Sequence, residues 1–273
     1  MKHATLVVAV IAALVGLSAA AAADEKVDKA VKELDQQFAK VKSYTAKIES
    51  KTDAEFGPGH TQKSEMAGTT EWLRKGEKAL MRSEMKFKTT ETEDGKTTNT
   101  PSAITTVDDG EFLYVLTEEK GQKTVMKSQA STVKMHQPTG FFGPYKSYYN
   151  TKLLKDDKVE GNDCYVFEMK MRPMEGVAPS GRQLVYYQKK HGIQVKFEAF
   201  DVDGKLTNWS ISKDLKVNVD IGADHFNFKI PEGAQVIDNT TAQQQPAQTE
   251  SEPEKKEKKK KEKKKGIKLP KWP

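Results

Sequence analysis

The sequence predicts a mainly β protein of the α+β class, in which a curved antiparallel sheet curls into a barrel or half-barrel. One helical pattern spans residues 26–42, and after it the apolar residues recur at every second position. Nearly every strand is apolar on one face only, which is typical of an antiparallel sheet with one face in water. With ten or so strands, such a sheet is expected to curl.

The N-terminal residues 1–23 have the composition of a secretory signal peptide. A basic Lys2 precedes the uncharged apolar run Leu6–Leu17, and small residues follow up to Ala23. The apolar run is shorter than the roughly 20 residues that a membrane-spanning helix needs. We therefore predict cleavage after Ala23 and export, with a retained anchor as the alternative.

The helix predicted over residues 26–42 carries a single apolar stripe, and Asp24 can cap its N-terminus. The stripe consists of Val27, Ala30, Val31, Leu34, Phe38 and Val41. Because the rest of the domain is predicted to form strands, this helix and the segment 128–150 are the parts available to cover the concave face of the sheet. The sequence therefore predicts a large apolar hollow with little helix to fill it.

The strands follow from residue 44 onward, with a polar, Thr-rich mobile loop expected over residues 89–102. They are predicted near residues 44–48, 66–74, 79–88, in three short pieces between 107 and 127, and at 152–160, 163–171, 182–189, 193–201, 205–220 and 225–230. In the last of them Phe226 and Phe228 alternate with polar residues. Pro231 and Gly233 then end the strand pattern.

An aromatic segment, "TGFFGPYKSYYN", interrupts the strand pattern at residues 139–150. Glycine and proline residues flank its aromatic side chains, of which Phe141, Phe142 and Tyr145 are the candidates for a hinged lid over the hollow. The alternative is a loop that plugs one end of the barrel.

Residues 239–273 are predicted to be a disordered Lys-rich tail, so that the folded domain spans residues 24–238. The net charge of +6 belongs to this tail, because residues 251–273 hold 11 lysines and four glutamates. The remaining charges nearly balance, and nucleic-acid binding by the domain has no electrostatic support. The tail can make transient contact with an anionic membrane surface, or it can serve only as a solubilising extension.

Reactive and metal-binding patterns are missing from the sequence. Cys164 is the only cysteine, which excludes an internal disulfide and predicts a small buried strand residue. The histidines are scattered, and "DVDG" at 201–204 has Ser212 where a calcium loop needs a glutamate. We therefore predict no metal, no cofactor and no enzymatic activity.

Four stretches of the chain carry a family pattern: "GTTEWLRKGEKALMRSEM" (68–85), "DDGEFLYVL" (108–116), "FDVDGKLTNWSISKDLKVNVDIGADHFNF" (200–228) and "FNFKIPEGAQVID" (226–238). Together they resemble the periplasmic outer-membrane lipoprotein carriers, the LolA-type proteins of the lipoprotein-sorting superfamily. The chain is similar to the family over roughly residues 26–238. It departs from the family at Arg74-Lys75-Gly76, where a basic residue followed by proline is usual, and in its Lys-rich tail.

The resemblance implies an incomplete β-barrel covered by an N-terminal helix and a lid. It implies a monomeric periplasmic carrier that sequesters the acyl chains of lipoproteins or other envelope lipids for transfer between membranes. A lipid-sensing regulatory module on the same fold is the alternative, and the family's basic hairpin position falls on Arg74 or Lys75. The predicted ligand-cavity residues are Trp72, Met81, Met85, Phe87, Phe112, Tyr114, Tyr165, Phe167, Met169, Phe197 and Trp209.

Overall fold

The computed structural model describes residues 25–130, 148–173 and 181–240. These residues form one helix and a curved 13-stranded sheet that does not close, so the predicted half-barrel class is confirmed. The predicted signal peptide, the lid residues Phe141, Phe142 and Tyr145, and nearly all of the predicted tail lie outside the described residues. No helix in the described part of the chain is long and apolar enough to cross a membrane.

The strands β1 to β13 are numbered in chain order. They span Ser43–Gly57, His60–Lys75, Lys78–Glu93, Lys96–Asp108, Phe112–Glu119, Gln122–Gln129, Tyr149–Leu153, Asp157–Val159, Asn162–Met171, Arg182–Gln188, Ile193–Phe200, Leu206–Val217 and Gln235–Asp238. Across the sheet the order is β13-β6-β5-β4-β3-β2-β1-β12-β11-β10-β9-β7, and β8 pairs with β9. All of these pairs are antiparallel except β13 with β6.

Helix α1 spans residues 25–38 and lies on the concave face of the sheet. Its stripe is buried as the spacing predicts, with Leu34 fully buried and Phe38 2% exposed. The first turns pack on β9 and β10, where they meet Phe167 and Val185. The helix ends four residues earlier than predicted, yet the last member of the stripe, Val41, is buried in the segment that follows.

Two close contacts connect α1 to the sheet. Gly192 has φ +65°, and a Cβ there would lie 2.2 Å from the carbonyl oxygen of Leu34, so only glycine permits this approach. The hydroxyl group of Tyr165 donates a hydrogen bond of 2.6 Å to Oε2 of Glu33. This hydrogen bond, with burial, raises the pKa of Tyr165 to about 12.

Replacing Tyr165 with phenylalanine is expected to make stability less dependent on pH in alkaline solution. The unfolded chain releases the Tyr165 proton near pH 10 and the folded chain near pH 12. The contribution of this group to stability is therefore complete below pH 10 and is lost as the pH rises toward 12. Urea midpoints below pH 10 and near pH 12 should differ less in Tyr165→Phe than in the natural protein. An equal difference in both proteins would contradict this.

The segment 89–102, expected to be a mobile loop, instead completes two long strands, so that prediction is wrong. β3 continues to Glu93 and β4 begins at Lys96, joined by a tight turn in which Asp94 and Gly95 have φ of 48° and 77°. Two successive residues with positive φ form the type of turn that matches the twist of a hairpin. Threonine also favours strands, and this preference outweighs the low hydrophobicity of the segment.

The C-terminal motif forms a different structure from the strand predicted over residues 225–230. Ala223–Phe226 is a 3-10 helix, and the final strand is β13, which follows the turn at Gly233. Phe226 is 1% exposed and packs with Leu80 and Val107 on the convex face of the sheet. The aromatic residues of the motif therefore cover the outside of the sheet and do not face the hollow.

Candidate functional site

The register of the sheet assigns each predicted cavity residue to a face, because directly paired antiparallel residues have their side chains on the same side. Eight of the residues lie on the concave face with α1: Trp72, Met81, Met85, Phe87, Tyr165, Phe167, Met169 and Phe197. The other three lie on the convex face: Phe112, Tyr114 and Trp209.

Most of the concave residues pack against α1 and belong to the core. Phe167 and Met169 are 0% and 1% exposed and contact the first half of the helix, with Tyr165 and Phe197 beside them. Trp72 is 2% exposed, and its ring lies 5.1 Å from that of Phe38. These side chains hold the helix on the sheet.

The basic hairpin separates into two different environments. Arg74 faces the helix, and its guanidinium donates hydrogen bonds of 3.1 Å to the carbonyl oxygens of Phe38 and Ala39. The same group lies 5.4 Å from the ring centroid of Trp72. Lys75 is exposed at the end of β2. Arg74 therefore satisfies the last carbonyls of α1, an interaction that also complements the helix dipole.

Replacing Arg74 with glutamine is expected to lower the free energy of unfolding by about 1–2 kcal/mol, because it removes charged hydrogen bonds and stacking at the helix end. The matched control is Lys75→Gln, which removes the same charge one residue away and should change stability by less than about 0.5 kcal/mol. Urea unfolding of the two variants checks this. Equal losses would show that net charge, and not the contact with α1, is responsible.

Five apolar side chains on the concave face form what we call the apolar strip. They are Ile48, Met66, Met85, Phe87 and Ile104. All five are half-buried, and none belongs to the buried clusters of the described residues. The strip crosses four adjacent strands, β1 to β4, a width of about 14 Å. It is an apolar part of the concave face that α1 leaves uncovered.

Three members of the apolar strip were not among the predicted cavity residues. Met66 begins a predicted strand, but the next residue on its face is Gly68, so no alternating row of large apolar side chains marks it. Ile104 follows the segment that was expected to be a loop. Ile48 ends the predicted first strand. Only the register of β1 to β4 places these three beside Met85 and Phe87.

Gly68 lies inside the strip, paired with Ile48 on one side and Met85 on the other. A Cβ at this position would lie 1.9 Å from the carbonyl oxygen of Glu84 and 2.8 Å from Sδ of Met85. The residue therefore has to be glycine for β2 and β3 to approach so closely. Without a side chain, it also leaves the surface between its neighbours open.

A cavity of about 210 Å³ adjoins the strip between β1, β12 and β11. Tyr44, Ala46, Ile48 and Leu215 supply apolar lining, and Thr70 is among the polar residues. This volume is smaller than the roughly 300–1,000 Å³ of typical ligand pockets. A long ligand would therefore have to extend from the cavity along the apolar strip.

The convex face carries the remaining predicted residues in two separate places. Tyr114 stacks on Phe228 with a centroid distance of 4.9 Å, and Nζ of Lys127 lies 3.8 Å above the ring of Phe112. Trp209 lines a shallow depression of about 350 Å³ around the exposed Ala67. These residues do not join the others in one site.

The described residues lack two features of metal-dependent and thiol-dependent active sites. They contain no group of three or more His, Cys, Asp or Glu side chains placed to hold a metal ion. Cys164 is fully buried, as predicted, and burial raises its pKa to about 11. A thiol with a raised pKa is a poor nucleophile. What the concave face can supply is apolar contact area.

In the described part of the chain, the fold and the strip define a half-barrel whose concave face is apolar and only partly covered by α1. No family model matches the chain. A stretch of 131 residues is 27% identical to an uncharacterized protein of Methanocaldococcus jannaschii and covers 47% of this chain. The match spans only 36% of that curated relative's length.

Several solved structures have a similar fold. An uncharacterized conserved protein from Thermus thermophilus aligns with a TM-score of 0.45 and 12% identity, over 78% of this chain and 99% of that one. The Mycobacterium tuberculosis lipoprotein LppX aligns at 0.42 and 8%, over 74% and 100%. A LolA superfamily protein from Nitrosomonas europaea aligns at 0.25 and 15%, over 74% and 97%. With every TM-score below 0.5, these alignments identify no ligand.

Proposed function

We propose that the protein is an exported, periplasmic carrier that binds the acyl chains of lipoproteins or other envelope lipids on its concave face for transfer between membranes. One observation supports this most directly: the apolar strip is left uncovered by α1, while the convex side of the same strands carries charged residues. The signal peptide predicted for residues 1–23 supports export.

The chemistry of the strip suits an acyl chain. Met66 and Met85 are unbranched and flexible, so they can adapt to hydrocarbon chains of different shape. Each methylene group moved from water to an apolar surface contributes about 0.8 kcal/mol. Association and ordering reduce the total, but a long chain that contacts both the strip and the adjoining cavity still retains a useful affinity.

Mass spectrometry of the protein purified from its own cell envelope tests the proposal. A co-purified acylated protein supports a lipoprotein carrier, and a free lipid supports a carrier of other cargo. A stoichiometric regulatory protein with no lipid would instead support a lipid-sensing module on this fold. Protein that contains no lipid and fails to bind an added fluorescent fatty acid would contradict the carrier function.

The Lys-rich tail is proposed to hold the carrier near anionic membranes during loading or delivery. A lysine near such a surface contributes about 1 kcal/mol, and the attraction weakens as salt is added. Salt-sensitive binding to anionic vesicles that is lost on truncation after Thr240 would support this role. Equal binding by the truncated protein would exclude it.

A further inference from the structure

A row of polar side chains follows the apolar strip on the concave face, directly beyond Met66 and Phe87 along β2 and β3. We call it the polar band: Asn208, Thr52, Ser64, Thr89 and Thr100, which are consecutive partners across β12, β1, β2, β3 and β4. All five are half-buried. Adjacent strands lie about 4.8 Å apart, so the band is about 19 Å long.

Side-chain hydrogen bonds connect the band. Nδ2 of Asn208 donates to Oγ1 of Thr52 at 2.8 Å, and the hydroxyl oxygens of Ser64 and Thr89 are 3.3 Å apart. Each hydroxyl group can both donate and accept, and only part of this capacity is used within the band. The band can therefore offer further hydrogen bonds of both kinds to a bound molecule.

The opposite side of the same strands is chemically different. In the same stretch the convex face carries Lys51, Asp53, Lys63, Glu65 and Lys88. Lys51 pairs with Glu65 at 2.8 Å, and Lys63 with Asp53 at 3.7 Å. Solubility and strand propensity act on both faces alike, so they do not explain why the concave face alone is uncharged in this stretch.

The absence of charge restricts what can bind. From Ala46 to Thr52 and along the paired stretches of β12, β2, β3 and β4, no concave residue is charged. The basic residues on the concave face of these strands lie elsewhere. Arg74 donates its hydrogen bonds to carbonyl oxygens at the end of α1, and His60 and Lys96 lie beyond the band at the hairpin ends. A phosphate group placed against the band would lose hydration without gaining a cation.

We propose that the polar band binds the head group of the cargo, and that this head group is uncharged and hydroxyl-bearing, either glycosyl or glyceryl. This rests on the proposed function, because it requires the acyl chain to lie on the apolar strip. The border between strip and band then fixes the position of the lipid along the strands: hydrocarbon over Met85 and Phe87, and hydroxyl groups over Ser64 and Thr89.

Three probes that share a dodecyl-length chain test this by competition with a fluorescent fatty acid, below their micelle-forming concentrations. Dodecyl maltoside and monolaurin carry uncharged hydroxyl groups, and dodecyl phosphate is anionic. We expect at least one uncharged probe to bind about fivefold or more tightly than dodecyl phosphate, as one or two hydrogen bonds would give. The tighter of maltoside and monolaurin distinguishes a glycosyl from a glyceryl head group.

A matched pair of variants locates the effect. Ser64→Ala with Thr89→Val removes two hydroxyl groups of the band and should abolish the preference, while dodecyl phosphate binding changes little. Thr90→Val with Thr92→Val removes two hydroxyl groups from the convex face of β3 and should preserve the preference. Equal or tighter binding of dodecyl phosphate, or a preference that survives loss of the band hydroxyls, would overturn the head-group proposal and leave the carrier function intact. Failure of the fluorescent fatty acid itself to bind would overturn both.

Discussion

Replacing Met85 with glutamate is expected to weaken binding of a fluorescent fatty acid by at least about tenfold. Met85 lies in the middle of the apolar strip, between Gly68 and Ile104. A carboxylate there would have to lose water when hydrocarbon covers it, and the described concave rows around it offer no cation as a partner. A loss of about 1.4 kcal/mol already corresponds to a tenfold change in affinity.

The control for this variant is Ala67→Glu. Ala67 is exposed on the convex face of β2 and forms part of the depression beside Trp209, so the new carboxylate remains in water. Its affinity for the fatty acid should equal that of the natural protein. If Ala67→Glu lost binding while Met85→Glu retained it, the acyl chain would lie on the convex face and the proposed site would be wrong.

Replacing Phe167 with alanine is expected to lower the free energy of unfolding by about 3–5 kcal/mol. The side chain is fully buried between β10 and α1, with its ring 6.1 Å from that of Tyr187. Its removal leaves a cavity at the main contact between helix and sheet. Urea unfolding followed by circular dichroism measures the change.

The same substitution at Phe56 serves as the control. Phe56 is 60% exposed near the end of β1, so Phe56→Ala should change stability by less than about 0.5 kcal/mol. If the two variants lost similar amounts of stability, α1 would not be an essential part of the folded core. If Phe167→Ala lost less than about 1 kcal/mol, the packing described for β9 and β10 would be contradicted.

The positions of the strands were predictable to a large extent, and the faces of the sheet only in part. Alternation identified most strands, but the sequence offers no sign of which apolar face meets the helix. In β5 both faces are apolar, and Phe112 and Tyr114 lie on the convex side with Leu113 between them on the concave side. Because Phe112 and Tyr114 are larger than Leu113, the sequence favoured them as the residues that face the hollow, and the register contradicts this.

Trp209 shows why alternation alone misleads in β12. The pairing with β1 shifts between Thr45 and Lys47, opposite Asp214, which has φ 52°. This bulge reverses the side on which alternate residues point. Val217 therefore lies on the concave face. Trp209, which simple alternation would place on the same face as Val217, lies on the convex face.

The sequence by itself determined the amphipathic helix α1, the many one-sided strands and the burial of Cys164, because these depend on spacing along the chain. Tertiary structure alone decided that Met66, Ile48 and Ile104 lie beside Met85, and that uncharged hydroxyl groups border them. Those neighbours come from strands distant in sequence, and their alignment depends on register, on the bulge in β12 and on the close approach that Gly68 permits. The physical reason is that a strand pattern repeats every two residues, so a shift of one residue exchanges the two faces without altering the pattern itself.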